Sequence, residues 1–462
     1  MLLKSNIDHL KKILDSNRVL SSKEECYCYS QDAGNFVDEN ALADVVVFVQ
    51  TVEEIQNIVK YANQHKIPII SRGAGTNMVG ACVCEKGGIV LNFSKMNKIL
   101  DFNPEDMTIT VQAGAILNDI KTLVEKEGLY YPPDPSNFKV STIGGSIAQS
   151  SGGAKSFKYG TTKDYILSMN VVLADGTLMK LGSGMVKDAV GYHLNQLIVG
   201  SEGTLAIVAD ATLKLIPRPE TSTLITAYFD SLDECSCAVN NVIKSRVFPS
   251  TIDFMDKNSI NTIEEFYPCG LDCTKEAMLL IEVDGSENSV QEQAEIVVSV
   301  LNSSKASSVL SVHDEKQKED IWTARRASFA ATAKLAPDVL SDDLIVPRSK
   351  LAEMVTKTKA ICNKYGLQVC IVGHVGDGNI HPQIALNLEN DDEYKNYMNA
   401  KSEIYNLAVA LGGTISAEHG VGIEKRQYME KILDKTSLEY MKQIKKLFDP
   451  NNILNPDKIF KL

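Results

Sequence analysis

Glycine recurs in this chain where short apolar runs end, and no other feature constrains the fold as much. Arg72-Gly73-Ala74-Gly75-Thr76-Asn77-Met78-Val79-Gly80 directly follows Ile67-Pro68-Ile69-Ile70-Ser71. Pro132-Pro133-Asp134-Pro135 leads to Ser141-Thr142-Ile143-Gly144-Gly145, then to Ser151-Gly152-Gly153 and Tyr159-Gly160. Gly200-Ser201-Glu202-Gly203-Thr204-Leu205 comes later. Glycine lets backbone N–H groups approach one another and converge on an anion. The first loop alone is a weak signal. It lacks Gly-Lys-Ser/Thr and the third glycine of a dinucleotide turn, so a surface turn would also explain it. Together the loops predict an extended groove lined by backbone amides, suited to a long ligand with a diphosphate.

The runs between the loops are short. Residues 43–49, 67–71, 88–92, 107–111 and 168–173 read as strands, and Asp175-Gly176 as a hairpin turn. Thr51 and Glu54 carry a capping-box signature, which starts a helix with Ile55, Val59 and Ala62 on one face. Residues 1–215 thus read as one α+β domain. Ile216-Pro217-Arg218-Pro219-Glu220 marks a boundary. Beyond it, strands at 222–229 and 277–283 alternate with amphipathic helices at 232–245 and 289–301, predicting a second α+β domain over 216–415. A C-terminal segment, 416–462, carries a helix to Phe448 that Asp449-Pro450 stops.

A chain of 462 residues is expected to divide into two or three domains. With 47 basic and 59 acidic residues the net charge is -12, which argues against a general nucleic-acid binder. No apolar run approaches the roughly 18–20 residues that span a bilayer. The opening Met1-Leu2-Leu3-Lys4-Ser5-Asn6-Ile7-Asp8-His9-Leu10 reads as a surface helix without a secretory signal, so the expected location is cytoplasmic. Ten cysteines include three Cys-x-Cys pairs, Cys26/Cys28, Cys82/Cys84 and Cys235/Cys237, but no Cys-x-x-Cys. Reduced thiols are expected, and an iron–sulfur cluster is not.

Three of the seven histidines lie in two short segments. In Gly373-His374-Val375-Gly376-Asp377-Gly378-Asn379-Ile380-His381-Pro382, Asp377-Gly378 is a two-residue hairpin signal. Folding there places His374 opposite His381, with Cβ atoms roughly 5 Å apart. The second segment is Ser416-Ala417-Glu418-His419-Gly420-Val421-Gly422. Two histidines and a carboxylate with open positions suit a catalytic divalent metal. Hydrogen-bonded core histidines beside a surface Glu-His pair are the plainer reading. Glu418 and His419 are adjacent, so one serves better as ligand and the other as acid/base. Glu418 is assigned as ligand with His374 and His381. His419, whose type titrates near neutrality, is assigned as base.

With these motifs in hand, the chain resembles the FAD-linked glycolate oxidase and D-lactate dehydrogenase family, which shares the vanillyl-alcohol-oxidase-type flavin-binding fold. The likeness runs from Tyr29-Ser30-Gln31-Asp32 to Phe448-Asp449-Pro450-Asn451-Asn452-Ile453-Leu454-Asn455-Pro456. GHVGDGNIHP and AEHGVG are its most specific motifs. The resemblance implies an α+β, two-lobed FAD-binding domain, a ferredoxin-like substrate (cap) domain, and a C-terminal segment that completes both the FAD domain and the active site.

It also implies residue roles. Arg72, Gly73, Ala74, Gly75, Thr76, Asn77 and Gly80 would hold the diphosphate of noncovalent FAD. Pro133, Asp134, Thr142, Gly144, Gly145, Ser150, Gly152 and Gly153 would line the cofactor. So would Tyr159, Gly160, Glu202, Gly203 and Ile207, with Asn455 approaching the isoalloxazine. His374, His381 and Glu418 would bind zinc, or iron or manganese in its place. His419 would take the hydroxyl proton while a hydride passes from C2 to flavin N5. Arg325 would pair with the substrate carboxylate and Asn379 would steady flavin or substrate. Related sequences often carry Asn where Ser146 and Ser150 stand. Members acting on diacids place a Lys near Ser341, and its absence here favours D-lactate or glycolate. Electrons would pass to a separate acceptor such as electron-transfer flavoprotein or quinone, from a homo-oligomer or a subunit of a complex. The alternatives are an oxidase that reduces O₂, or a non-catalytic FAD- and metal-binding subunit.

Overall fold

The β-branched run Val45–Phe48 is buried along nearly all its length, as a strand covered on both faces must be. In the computed structural model, which describes residues 2, 4–34 and 41–462, it pairs in parallel with Ile89–Asn92. Ile69–Arg72 pairs with the other edge of Ile89–Asn92, also in parallel. The helix Val52–His65 makes the crossover from Val45–Phe48 to Ile69–Arg72. Its capping box between Thr51 and Glu54 is present as expected, and it buries Ile55, Ile58, Val59 and Ala62. The first strand of the sheet, Val19–Leu20, joins Val45–Phe48 antiparallel. The start of the expected N-terminal helix, at Met1 and Leu3, lies outside the described residues; the helix runs Lys4–Ile13.

A second sheet is antiparallel throughout, in the order Ile99–Asn103, Thr108–Gln112, Ile207–Lys214, Ile166–Val172, Leu178–Leu181. The hairpin at Asp175-Gly176 forms, with Gly176 at φ 82°, where glycine meets no Cβ penalty. The strand expected from residue 107 begins at Thr108, because Met107 is left-handed (φ 51°) and closes the preceding turn. The C-terminal helix Lys435–Phe448 ends at Asp449-Pro450, and the chain then returns to the first sheet. Asn455 donates its N–H to Ile69 O at 2.8 Å. With residues up to 152, 161–218 and 418–462 these elements form one compact unit.

Residues 153–160 and 219–417 form the other. Thr221–Phe229, Thr251–Asp256, Ala277–Gly285 and Ser308–Val312 alternate with the helices Leu232–Lys244 and Glu287–Ser303. The strand order is Ser308–Val312, Thr221–Phe229, Ala277–Gly285, Thr251–Asp256, all antiparallel. This is the split βαβ arrangement of a ferredoxin-like domain. Gln368–Gly373, Asn379–Leu386 and Asp338–Ser341 extend the sheet beyond Thr251–Asp256. One sheet face is apolar where Met255, Met278, Leu280 and Val372 pack beneath the helices Lys257–Phe266 and Glu315–Arg326. The same face carries Asp253 and Glu282, which are almost fully buried.

Among the described residues no helix is long and apolar enough to cross a membrane. All ten cysteines are free. Burial pushes the thiols of Cys82 and Cys84 up to about 11 and about 12, so that pair stays protonated at neutral pH.

Candidate active site

The buried acids of the second unit organise its polar side chains. Glu315–Arg326 is a helix whose Lys318, Trp322 and Arg325 recur at i, i+4 and i+7, so they share a face. Lys318 Nζ donates to Ser222, Trp322 Nε1 to Glu282 Oε2 at 3.0 Å, and Arg325 Nε lies 2.9 Å from Asp253 Oδ2. Arg325 is therefore buried against the sheet and is not a surface ion pair. Asp253 Oδ1 also lies 3.0 Å from His374 Nδ1. Burial works to raise the Asp253 carboxyl, but Arg325 and His374 outweigh it and hold the group below the usual carboxylate range.

The histidine hairpin forms in a register that differs from the expected one. Val372, not His374, stands opposite His381 in the ladder. The connection spans residues 374–378 in place of two residues. His374 O accepts from both Asp377 N–H (3.1 Å) and Asn379 N–H (3.2 Å), which closes a wider turn. Gly378 at φ 87° sits against Val346 O, leaving no room for a Cβ. The two imidazoles nonetheless meet, with ring centroids 5.3 Å apart and planes at 77°. His381 pairs within the strand, and His374 reaches it from the turn.

Asp343 is the second organising acid. It is fully buried and accepts Asn379 Nδ2 at 2.9 Å on Oδ1. Its Oδ2 accepts Ser416 Oγ at 3.1 Å and Ala417 N–H at 2.9 Å, and its Oδ1 lies 3.8 Å from His381 Nδ1. Asn379 spends its Nδ2 on Asp343 and Leu344 O, while its buried Oδ1 has no partner among the described residues. Glu418 and His419 are the next two residues after the anchored Ala417. Gly153, Tyr159 and Gly160 also belong to this unit, where Tyr159 OH donates to Asp284 Oδ2 at 2.8 Å.

In the first unit the glycine loops interlock. A Cβ at Gly73 would overlap Thr142 Oγ1, and one at Gly144 would come within 2.9 Å of Ala113. Arg72 folds its guanidinium under Gly75 (φ 73°) and donates to Gln31 O. Asn77 Oδ1 accepts Val79 N–H (2.9 Å) and Ala81 N–H (3.1 Å), and its Nδ2 donates to His419 O at 3.1 Å. Ile423 N–H returns to Val79 O at 2.9 Å. Gly80 lies against the Ile423 side chain, Thr76 is half-buried between these anchors, and Ala74 is exposed.

Glu202 is left-handed at φ 52° and followed by Gly203 at φ 70°. Its buried carboxylate accepts Val421 N–H (2.6 Å) and Gly422 N–H (2.8 Å). Burial pushes it up to about 6, against the pull of those two donors. Asn455 Nδ2 donates to Ala81 O and Glu202 O, at 2.9 and 2.7 Å. Its buried Oδ1 and Gln149 Oε1 have no partner among the described residues. Asp134 pairs with Lys121 at 3.0 Å, below the buried Pro133. Gly145 N–H donates to Thr142 Oγ1, and Ser150 caps the far end of that helix at φ 51°, ahead of Gly152. The side chain of Ile207 is core.

Residues 43–182 match the family described as "FAD binding domain" and residues 218–459 match "FAD linked oxidases, C-terminal domain". The second match alone covers more than half of the chain. The chain belongs to the FAD-linked oxidase family. It is 41% identical to the glycolate oxidase subunit GlcD of Bacillus subtilis, over 94% of this chain and 92% of that protein. It is 37% identical to a D-lactate dehydrogenase of Anaerostipes hadrus, over 91% of this chain and 90% of that protein. The structure of p-cresol methylhydroxylase with substrate bound superposes with a TM-score of 0.81 at 17% identity, over 98% of this chain and 95% of that one, which shows the vanillyl-alcohol-oxidase-type fold.

An FAD-linked oxidase is a flavoprotein oxidoreductase, and the first unit fits its cofactor. The Thr142 side chain crowds Gly73 and Ala113 crowds Gly144, and the buried, unpartnered Asn455 and Gln149 oxygens are open to a ligand's hydrogen-bond donors. The second unit fits a metal, because two imidazoles meet with a carboxylate behind one of them. Asp253, Asp343 and the anchoring role of Glu202 were missed in the sequence. The available signal was acid inside an apolar strand: Asp253 sits in Thr251–Asp256, which is buried at every position.

Proposed function

We propose that this FAD-linked oxidase oxidises a small D-2-hydroxy acid, D-lactate or glycolate, to the 2-oxo acid and passes the electrons to a separate acceptor. Bound FAD supplies the acceptor for the C2 hydride, and a bound divalent metal, zinc or iron or manganese, polarises the substrate's oxygens. His374 and His381 hold the metal with Glu418. Arg325 turns its remaining guanidinium edge to the substrate carboxylate. His419 takes the hydroxyl proton. Asn379 presents its buried Oδ1 to the bound ligands. Asn455 and the loop residues of the first unit orient the flavin.

The observation that carries this reading is the meeting of the His374 and His381 rings one carboxylate away from Arg325. Kinship along nearly the whole chain with a glycolate oxidase subunit and a D-lactate dehydrogenase supports the substrate class. The test is turnover of D-lactate, L-lactate, glycolate and D-2-hydroxyglutarate with an artificial electron acceptor, alongside oxygen consumption. Turnover of D-lactate or glycolate with the acceptor, and little with O₂, is expected. Rapid oxygen consumption would instead establish an oxidase. A His419→Ala enzyme with full flavin and full turnover would remove the assigned base.

A further inference from the structure

Arg325, Asp253 and His374 form one chain within the second unit, in which Asp253 touches both ends. Asp253 is 1% exposed. Its Oδ2 lies 2.9 Å from Arg325 Nε, and its Oδ1 lies 3.3 Å from Arg325 Nη2 and 3.0 Å from His374 Nδ1. We propose that Asp253 is a positioning residue that couples metal binding at His374 to substrate-carboxylate binding at Arg325. This rests on the metal and substrate reading given above.

Two consequences follow from the donor inventory. A carboxylate facing Nδ1 holds the proton there, which leaves Nε2 as the ring's acceptor atom. It also raises the basicity of that atom toward a cation. On the other side, Arg325 donates one Nη2 hydrogen to Asp253 and keeps its Nε beside Oδ2 as an ion pair, so the end-on Nη1/Nη2 fork is what a second carboxylate can meet. One carboxylate thereby sets the tautomer of a metal ligand and the rotamer of the substrate's arginine.

An Asp253→Asn side chain is isosteric, but its Nδ2 cannot accept from a donor. Either Arg325 or His374 loses its partner. Zinc binding to the flavin-loaded enzyme is measured by equilibrium dialysis, with the flavin spectrum as the check on folding. Asp253→Asn is expected to raise the zinc dissociation constant about 10–100-fold. At saturating zinc, kcat returns to within several-fold of wild type while KM for D-lactate stays raised. Arg325→Ala, which removes a group that touches no metal, is expected to weaken zinc binding as well, and it tests the coupling even if the first variant misfolds. Unchanged zinc affinity in Arg325→Ala, or in well-folded Asp253→Asn, would overturn the coupling. A wild-type enzyme that binds no divalent metal would sink the underlying metal reading instead.

Discussion

Asp343 Oδ2 accepts the N–H of Ala417 at 2.9 Å, so one buried carboxylate fixes the backbone immediately before the Glu418-His419 pair. The same side chain holds Asn379 Nδ2 at 2.9 Å. Asp343→Asn puts an amide N–H against one of these donors. It is expected to lower kcat about 10–100-fold with flavin content unchanged, the loss typical of groups that orient ligands from behind. Steady-state turnover against the flavin absorbance checks this.

Glu202 makes a pH prediction. Its carboxyl sits at about 6 in the fold, raised chiefly by burial above the ordinary 4.5. The folded state then binds a proton more tightly than the unfolded chain. That contribution is fully present below about 4.5 and is lost as pH rises through about 6. The loss amounts to about 2 kcal/mol. Glu202→Gln does not titrate. Relative to it, wild type is expected to lose stability between pH 4.5 and 7, as measured by urea unfolding at each pH. Parallel stability curves for the two proteins would contradict the assignment.

The return of the C-terminal chain depends on a buried ion pair. Asp449 Oδ2 holds Lys445 Nζ, and Asp449 also accepts Ile453 N–H (3.0 Å) and Leu454 N–H (2.7 Å). Asp449→Ala leaves Lys445 buried and uncompensated, an expected cost of about 3–5 kcal/mol. Asn455 follows that turn, so FAD is expected to dissociate more readily too. Thermal unfolding and flavin retention on gel filtration measure the two effects.

The sequence made some of this architecture legible and hid the rest, and the difference is one of range. The capping box of Thr51 and Glu54 spans three residues, and the helix starts where it predicts. The hairpin at Asp175-Gly176, between Ile166–Val172 and Leu178–Leu181, was also local. The histidine hairpin was half legible. The two rings meet, but the turn at residues 374–378 is widened by backbone bonds to His374 O, which residue types do not announce. Asp253 was illegible because its partners lie 72 and 121 residues away. Glu202 was noticed as part of a glycine loop, but its bonds to Val421 and Gly422, more than 200 residues on, are a property of the folded chain alone.

Metal dependence is expected to separate from flavin dependence. His381→Ala, and wild type treated with a chelator, should keep the flavin spectrum and lose turnover, because His381 belongs to the second unit while the loops at residues 72–80, 141–145 and 200–205 belong to the first. Loss of flavin along with metal would contradict that separation.

The most direct test of the central claim is anaerobic bleaching of the flavin's visible absorbance by D-lactate or glycolate. Bleaching by one of them, abolished by a chelator and restored by a divalent metal, is the predicted result. Flavin that stays oxidised with every short 2-hydroxy acid, in metal-loaded enzyme, would contradict it.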